Sequence, residues 1–251
     1  MPTGRVAVVT GGSSGIGLGI VRGLLDAGAL VAFCGTSNER ISASMTELAA
    51  GDRVMAEIAD VADPVSVSAF FATVRQRLGD VDILVNNAGV SPKRRSPDPW
   101  ATQVTLEEWR RVLDVNLTGA WLCSQEVIPG MIARRWGRII NIGSIAGRTT
   151  PKIAGPHYAA AKAGLGGLTR SLAFDLGPHG ITVNCLAPGW IASNMTAPVG
   201  SSRAEEAAAA IPVRRVGIPS DMAAAVTFLA GDAASYLTGT TIDVNGGAFA
   251  I

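Results

Sequence analysis

A phenol and an ammonium stand four positions apart in the run Tyr158-Ala159-Ala160-Ala161-Lys162. On an α-helix this spacing places both side chains on one face. A lysine ammonium beside a phenol favours the phenolate, so we predict that the pKa of Tyr158 falls from about 10 toward neutral. Such a group could donate or accept a proton at cellular pH. A surface tyrosine beside a solvated lysine would show the same spacing, so the pair is informative only together with the rest of the chain.

The composition bounds the classes of protein to which the chain can belong. Its 251 residues and 48% hydrophobic content suit one α/β domain, which we expect to span residues 1–251. With a formal net charge of +1, the chain has no field that would attract nucleic acid or an acidic membrane. The sequence shows neither a signal peptide nor about 18 consecutive apolar residues, so we expect a cytoplasmic protein. Three scattered cysteines and two histidines predict buried free thiols and no metal site.

Short apolar runs alternate with longer segments of helical period, which predicts a parallel sheet with right-handed crossovers. The predicted strands are Arg5–Thr10, Leu30–Gly35, Val54–Ala59, Ile83–Asn86, Gly137–Ile142, Thr182–Ala187 and Thr241–Val244. The predicted helices are Gly15–Ala27, Glu39–Ala50, Pro64–Leu78, Thr105–Arg134, His157–Leu176 and Ser220–Ala230. Two long loops, Val90–Gln103 and Gly189–Ser202, follow strand ends, where open sheets of this kind bind ligands.

The first predicted strand is followed by the segment Gly11-Gly12-Ser13-Ser14-Gly15-Ile16-Gly17 and then by a helix. Glycines at the first, fifth and seventh positions allow a tight turn and let the backbone approach a pyrophosphate at the helix N-terminus. A purely structural turn between strand and helix would use the same residues. Its place after the first strand of an α/β pattern favours phosphate binding.

The second predicted strand ends in Gly35-Thr36-Ser37-Asn38, which contains no acidic residue. An acidic residue here would bind a ribose 2′-hydroxyl and repel a 2′-phosphate. Thr36 and Ser37 can instead donate hydrogen bonds to a phosphate, although an ordinary polar loop with a helix cap would look the same. The segment therefore favours NADP(H) as the cofactor and leaves NAD(H) possible.

Two further strand ends carry residues that could contact a nucleotide. Asp60-Val61 follows the third strand, where the carboxylate could accept a hydrogen bond from an adenine amino group or simply approach a helix start. Asn87-Ala88-Gly89 follows the fourth strand, where the asparagine can satisfy backbone groups and the glycine leaves room for a cofactor. A plain turn would also use these residues.

The ordered motifs of the chain resemble those of the short-chain dehydrogenase/reductase family. The matching residues are Thr10–Gly17, Asn86–Gly89, Asn116, Ser144, Tyr158, Lys162, Pro188–Gly189 and Asp243–Gly247. They occur in the family's order and span nearly the whole chain. The resemblance implies a Rossmann-type α/β fold, with a doubly wound parallel sheet of about seven strands and helices on both faces.

The resemblance also implies hydride transfer between a nicotinamide and a carbonyl or secondary alcohol. Tyr158 would be the general acid or base, and Ser144 would hold the substrate oxygen. Lys162 would lower the pKa of the tyrosine and bind the nicotinamide ribose, while Asn116 would support a water chain that reloads the proton. The expected cofactor contacts are Gly11, Ser13, Ser14, Gly15, Ile16, Gly17, Thr36, Ser37, Asp60, Val61, Asn87, Ala88, Gly89, Tyr158, Lys162, Pro188, Gly189 and Ile191.

Within the family the chain is most similar to the 3-oxoacyl-carrier-protein reductases and related ketoreductases. This similarity implies an NADPH-dependent reductase of ketones or 3-oxoacyl thioesters, without a metal. Phe174 stands where those reductases often carry a basic residue for the carrier, although Arg134 and Arg135 could serve there. The alternatives are an NAD-dependent alcohol or sugar dehydrogenase, or a non-catalytic dinucleotide sensor.

Assembly is a further expectation. The segments Thr105–Arg134 and His157–Leu176 carry apolar side chains on more than one face, and a helix apolar beyond one stripe needs a second partner. The side chains in question are Trp109, Trp121, Leu165, Leu168 and Leu172. Family members typically pair these helices between subunits, so we expect a homotetramer.

Overall fold

Strands and helices alternate along the chain in the computed structural model, which describes residues 2–92, 96, 98–150, 154–192 and 208–250. The strands are β1 (Val6–Thr10), β2 (Leu30–Gly35), β3 (Val54–Ile58), β4 (Ile83–Asn86), β5 (Gly137–Ile142), β6 (Ile181–Pro188) and β7 (Thr241–Val244). The helices are α1 (Gly15–Asp26), α2 (Asn38–Leu48), α3 (Pro64–Leu78), α4 (Leu106–Leu113), α5 (Gly119–Arg134), α6 (Pro156–Leu176) and α7 (Pro219–Leu229). The predicted loops Val90–Gln103 and Gly189–Ser202 lie partly outside the described residues.

The seven strands form one sheet in the order β3-β2-β1-β4-β5-β6-β7, and every neighbouring pair is parallel. The predicted Rossmann-type sheet is therefore confirmed. The strand order reverses between β1 and β4, which start the two halves of the sheet. In open sheets of this topology the ligand crevice lies outside the carboxyl ends of the strands at this switch point.

Helices cover both faces of the sheet because successive side chains of each strand point to opposite faces. On one face, Val8 of β1 belongs to a core cluster with Phe71 of α3 and Met131 of α5. On the other face, Val9 belongs to a cluster with Leu24 of α1 and side chains of α7. Burying each such side chain stabilises the fold by roughly 1.5–3 kcal/mol. Among the described residues, no helix is long and apolar enough to cross a bilayer.

The predicted helical stretch Thr105–Arg134 is helical from Leu106 to Arg134, but it is not a uniform α-helix. A π-helical turn, Asp114–Thr118, separates α4 from α5, and Asn116 lies in it. The Nδ2 atom of Asn116 donates to the carbonyl oxygens of Val112 and Val90, at 2.9 Å each. Wide turns of this kind often occur at functional sites. The apolar period runs through the turn, so it gave no sign of the extra residue.

A buried polar network joins the centre of the sheet to α5 and α6. The Nδ2 atom of Asn86, at the end of β4, donates to Asn141 Oδ1 of β5 at 2.9 Å and to Ser124 Oγ of α5 at 3.2 Å. Asn141 Nδ2 then donates to Thr169 Oγ1 of α6 at 2.9 Å. Since buried polar groups are costly unless paired, these bonds fix the position of both helices against the sheet.

Candidate active site

The predicted site residues lie at one edge of the sheet because each segment follows the carboxyl end of a parallel strand. The turn after β1 begins at Gly11, the segment after β5 begins at Gly143, and the segment after β6 begins at Gly189. The α6 helix crosses the same edge at its N-terminus, where Tyr158 lies. The fold thus brings together residues that are far apart in the sequence.

The glycine turn after β1 has the backbone geometry that the motif predicts. Gly11 and Gly15 have positive φ angles of 65° and 55°, which side chains other than glycine rarely adopt. A Cβ on Gly17 would run into the carbonyl oxygen of Gly11 and lie 2.5 Å from Asn87 Nδ2. Ser14, the N-cap of α1, makes no side-chain cap hydrogen bond, so its hydroxyl does not occupy the helix N-terminus. This is the cradle in which a phosphate group fits.

The residues after β4 hold this turn in place. Asn87 Nδ2 donates to the carbonyl oxygens of Thr10 and Gly11 at 2.9 and 3.1 Å. The backbone N–H of Ala88 donates to Thr10 Oγ1 at 3.0 Å. The Asn87 side chain therefore holds the backbone of the glycine turn, as expected of an asparagine that satisfies backbone groups at a strand end.

The four residues with expected catalytic roles lie close to one another at this edge of the sheet. The Ser144 side chain lies close enough to the Tyr158 hydroxyl to lower the pKa of that group. Lys162 Nζ lies 5.6 Å from the centroid of the Tyr158 ring. A Cβ on Gly89 would lie 2.7 Å from Asn116 Oδ1 and 3.5 Å from Lys162 Nζ, so any side chain at this position would crowd both groups.

Ser144 is placed by a short turn that packs on α6. Its Oγ accepts a hydrogen bond from the backbone N–H of Ala146 at 3.1 Å. A Cβ on Gly147 in the same turn would lie 2.5 Å from the carbonyl carbon of Lys162. The close approach that Gly147 permits brings the Ser144 turn against the helix that carries Tyr158.

The expected lowering of the Tyr158 pKa is not found. Burial of the hydroxyl raises the pKa of Tyr158 above its usual value, and the neighbouring Ser144 side chain offsets this only in part. Burial also lowers the pKa of Lys162 to about 8, against a smaller opposing effect from Cys185. The sequence argument considered only the attraction between the two charges and omitted desolvation, which dominates here.

Two buried polar atoms complete this part of the site. Lys162 Nζ donates to the carbonyl oxygen of Ile142 at 2.8 Å, which fixes the amine beneath the Tyr158 ring. Asn116 Oδ1 is buried without a hydrogen-bond partner in the protein. An unpaired buried acceptor is costly, so this atom is suited to bind a water molecule or a ligand group.

Of the residues expected near a 2′-phosphate, one already has a local role. Ser37 caps α2, since its Oγ accepts from the backbone N–H of Arg40 at 3.3 Å. Thr36 is exposed at the end of β2. A Cβ on Gly35 would lie 2.7 Å from Ser13 Oγ, which places Ser13 beside the end of β2.

Asp60 and Val61 have protein partners. Asp60 Oδ1 accepts from the backbone N–H of Ala62 at 3.0 Å, and its Oδ2 pairs with the Arg111 guanidinium at 3.0 Å. Val61 is buried, and a Cβ on Gly119 would lie 2.8 Å from its Cγ2 atom. The structure places both residues at the site edge, where they also hold α4 and α5 to the end of β3.

The segment after β6 is held at both ends. The backbone N–H of Gly189, which follows Pro188, donates to the carbonyl oxygen of Val244 at 3.1 Å. Ile191 is buried and forms a parallel bridge with Gly217, before α7. These contacts fix the backbone of Ile191 at the same edge as Ser144.

Sequence analysis gave no role to His157 and Glu108, which the structure brings together beside Tyr158. His157 is fully buried, and its Nε2 atom lies 3.0 Å from Glu108 Oε1 of α4. A signal was present, since Thr105-Leu106-Glu107-Glu108 has capping-box spacing and a histidine precedes the tyrosine. In the described parts of the chain, no group of three or more histidine, cysteine or acidic side chains could hold a metal ion.

The amino-acid sequence of the chain is similar to those of known proteins. The family model described as enoyl-(acyl carrier protein) reductase matches residues 11–248. A 3-oxoacyl-[acyl-carrier-protein] reductase of Vibrio cholerae is 39% identical over 248 residues, which cover 99% of this chain and 98% of the relative. Nodulation protein G of Rhizobium meliloti is 43% identical over 248 residues, which cover 98% and 97%.

A solved structure gives the same result in three dimensions. A variant of the actinorhodin polyketide ketoreductase, solved with NADPH, aligns with a TM-score of 0.92 and 34% identity over 99% of both chains. The match thus covers nearly the whole of both chains. The protein therefore belongs to the short-chain dehydrogenase/reductase family.

Proposed function

We propose that the protein is an NADPH-dependent reductase of ketones or 3-oxoacyl thioesters. The observation that carries this proposal is the convergence of Ser144, Tyr158, Lys162 and Asn116 at the edge of the sheet that also holds the glycine turn. The names of the similar proteins, a 3-oxoacyl reductase and a ketoreductase with NADPH, support it.

The residues present fit a nicotinamide nucleotide. The uncapped N-terminus of α1 and the turn from Gly11 to Gly17 would hold the pyrophosphate. Lys162 would bind the nicotinamide ribose, and the fixed backbone of Ile191 would receive the nicotinamide amide. When bound, the cofactor supplies the hydride that adds to the carbonyl carbon.

The protein's own groups act on the carbonyl oxygen. Ser144 and Tyr158 lie close together and would both donate to this oxygen as negative charge develops on it. Because the pKa of Tyr158 is raised, the phenol carries its proton at neutral pH and can transfer it to the oxygen.

Lys162 and Asn116 act after the proton leaves. Loss of the proton turns the phenol into a phenolate, which the Lys162 ammonium, 5.6 Å from the ring centroid, stabilises electrostatically. The unpaired Asn116 Oδ1 can accept from a water molecule that passes a proton back to the site. Both groups therefore restore the tyrosine for the next turnover.

Two alternatives are less well supported. An alcohol or sugar dehydrogenase working with NAD would use the same residues in the opposite direction, but the end of β2 carries no carboxylate to bind a ribose 2′-hydroxyl. A non-catalytic dinucleotide sensor would have no need of a buried lysine held beside a tyrosine and a serine.

NADP(H) is favoured over NAD(H) because no carboxylate lies at Gly35–Asn38, where Thr36 is exposed.

The substrate that we infer is a free carbonyl compound or a small thioester. Arg134 is engaged by Asp80, with Nη1 2.6 Å from Oδ2, and Arg135 donates to the carbonyl oxygen of Pro178 at 3.0 Å. Both contacts lie at the amino ends of the strands, the edge opposite to Ser144. The earlier suggestion that these arginines serve a carrier at this chain's own site is therefore not supported, and Phe174 is an exposed apolar residue.

We also propose a homotetramer. Leu165 and Leu172, expected to face a partner, are instead buried within the chain. Trp121 of α5 and Phe174 of α6, 39% and 85% exposed, are the side chains on these helices that support an intersubunit contact.

Buried free thiols, including Cys34, support a reducing compartment such as the cytoplasm.

The Tyr158→Phe variant removes the proton donor and keeps the ring. We expect turnover of a ketone panel with NADPH to fall at least ~10²-fold while the Kd for NADPH, measured by fluorescence, stays close to that of the wild type. The matched control is Tyr236→Phe, since Tyr236 is the other tyrosine and is fully exposed. Near-wild-type turnover of Tyr158→Phe would contradict the mechanism.

The rate of reduction should depend on the charge of Lys162. Burial lowers the pKa of Lys162 to about 8, so the ammonium is present below this pH and is lost as pH rises through it. We expect kcat/KM for reduction to be constant on the acidic side and to fall above pH of about 8. A Lys162→Gln variant should be slow and lack this alkaline decline. A wild-type profile that stays flat far above this pH would exclude the role of the ammonium.

The Thr36→Asp variant tests cofactor choice. The new carboxylate would repel a 2′-phosphate and accept from a 2′-hydroxyl, so the ratio of kcat/KM for NADPH to that for NADH should fall at least ~10-fold. Thr36→Asn has nearly the same shape without the charge and should keep the wild-type ratio. If the unmodified enzyme already prefers NADH tenfold or more, this interpretation of the β2 end is wrong.

The substrate proposal can be tested with one acyl group on two carriers. We expect a 3-oxoacyl group on a short thiol to be reduced with a kcat/KM at least as high as the same group on acyl carrier protein, at low and at high salt. Recognition of an acidic carrier by basic residues would fade with salt. An advantage of the carrier above ~100-fold that collapses with salt would instead identify a dedicated carrier-protein reductase.

A further inference from the structure

We propose that His157, held by Glu108, is a positioning residue for Tyr158, the proton donor of the function proposed above. No family motif named earlier includes either residue. The inference rests on that proposed function for its kinetic consequence, but the contacts themselves are independent of it. These contacts lie in the first turn of α6, between α6 and α4, and between His157 and the loop residue Trp100.

The first turn of α6 lacks an ordinary cap. The backbone N–H groups of a helix's first turn have no partner within the helix and are usually satisfied by a side chain at the N-cap. Here the N-cap is Gly155, which has no side chain. The His157 ring takes over this role, since its Nδ1 atom accepts from the backbone N–H of Tyr158 at 2.9 Å.

Gly155 cannot be exchanged for a capping residue. A Cβ at this position would run into the Cε1 atom of His157 and lie 2.8 Å from its Nδ1. It would also lie 3.0 Å from the Cε3 atom of Trp100, whose ring centroid is 6.0 Å from that of His157. The glycine therefore makes room for two rings, and one of these rings supplies the missing cap.

The contacts of His157 define its protonation state. Because Nδ1 accepts a backbone N–H, it carries no proton, so the proton of the neutral ring lies on Nε2. That nitrogen is 3.0 Å from Glu108 Oε1, which can accept its hydrogen bond. The His157 side chain is fully buried and the Glu108 side chain is 13% exposed, so water competes little for this bond. Glu108 thus holds the ring in the tautomer that can cap Tyr158.

The pair also joins the two helices that carry the reaction. Glu108 lies in α4, which leads into the π-helical turn of Asn116, and its backbone N–H is itself capped by Thr105 Oγ1 at 3.1 Å. His157 lies in the first turn of α6, beside Tyr158. A hydrogen bond between residues 49 positions apart therefore links the helix that carries the proton donor to the helix that leads to Asn116.

The functional consequence is geometric. Proton transfer requires the phenol within hydrogen-bond reach of the substrate oxygen, and a displacement of about 1 Å can cost ~10²-fold in rate. Releasing the Tyr158 N–H from His157 would loosen the first turn of α6 and so move the phenol away from Ser144. Lys162, one turn further on, is held separately by the Ile142 carbonyl. Cofactor binding should therefore be affected much less than turnover.

Two substitutions of His157 separate its contacts. In His157→Asn, the side-chain oxygen lies near the position of Nδ1 and can still accept the Tyr158 N–H, although Glu108 is out of reach. In His157→Gln, the amide can reach Glu108, but no acceptor remains at the δ position. We expect kcat of His157→Asn to stay within about threefold of the wild type and kcat of His157→Gln to fall at least ~10-fold, with KM for NADPH unchanged in both.

Substitutions of Glu108 test the tautomer. Glu108→Gln keeps an acceptor for Nε2–H and should retain kcat, whereas Glu108→Leu removes it and should lower kcat several-fold. Long-range ¹H–¹⁵N spectra of labelled protein show directly which ring nitrogen carries the proton. We expect the Nε2–H form in the wild type and in Glu108→Gln, and a mixture of forms in Glu108→Leu. This measurement needs neither substrate nor activity.

The outcomes are distinguishable. If the wild type reduces no ketone with NADPH or NADH, the proposed function fails, while the spectra still report on the ring. If the wild type is active and His157→Gln keeps its kcat, or both His157 variants lose kcat equally in step with their thermal stability, the positioning role is overturned. A wild-type spectrum with the proton on Nδ1 would also overturn it. If His157→Gln does not fold, the Glu108 variants and the spectra decide the question.

Discussion

The site depends on a buried ammonium that must be satisfied. Lys162 is almost completely buried, and an unpaired charge in such a place would be very costly. The carbonyl oxygen of Ile142, at the end of β5, accepts its hydrogen bond at 2.8 Å and ties α6 to the sheet edge. Gly147 then lets the next turn pack on the helix backbone, which brings Ser144 to Tyr158. The same burial that makes the lysine costly lowers its pKa into the range where its charge can respond to pH.

Amide side chains carry the rest of the support. Asn86 and Asn141 link the central strands to α5 and α6, Asn87 holds the glycine turn, and Asn116 fixes the junction of α4 with α5. An amide can donate and accept at once without a charge, so it can satisfy backbone groups that a wide turn or a strand end leaves open. Polar networks of this kind are stable only if nearly every member is paired. Asn86 Oδ1 and Asn116 Oδ1 are both buried without a hydrogen-bond partner, and of the two it is Asn116 Oδ1 that lies beside Gly89 and Lys162.

Much of the fold and of the site could be predicted from the sequence because period and turn chemistry are local. Each strand was placed to within one residue, since continuous apolar runs and glycines mark the ends of strands such as β1. The π-helical turn was missed because the apolar pattern continues through Asp114–Thr118. The pKa of Tyr158 was predicted in the wrong direction because a spacing shows neighbours but not burial. The place of Arg134 also needed the structure, since only the return of α5 across the sheet shows which edge it reaches.

The His157–Glu108 pair shows most clearly what sequence patterns cannot carry. Thr105 Oγ1 accepts from the backbone N–H of Glu108, so the spacing of these two residues corresponds to the start of α4. The carboxylate of the same residue nevertheless reaches a different helix. A local rule accounts for the backbone of Glu108, while a tertiary contact 49 residues away determines the use of its side chain. The backbone N–H groups of a first helical turn need partners from outside the helix, and in α6 the partner of Tyr158 N–H is a ring that a distant helix holds in place.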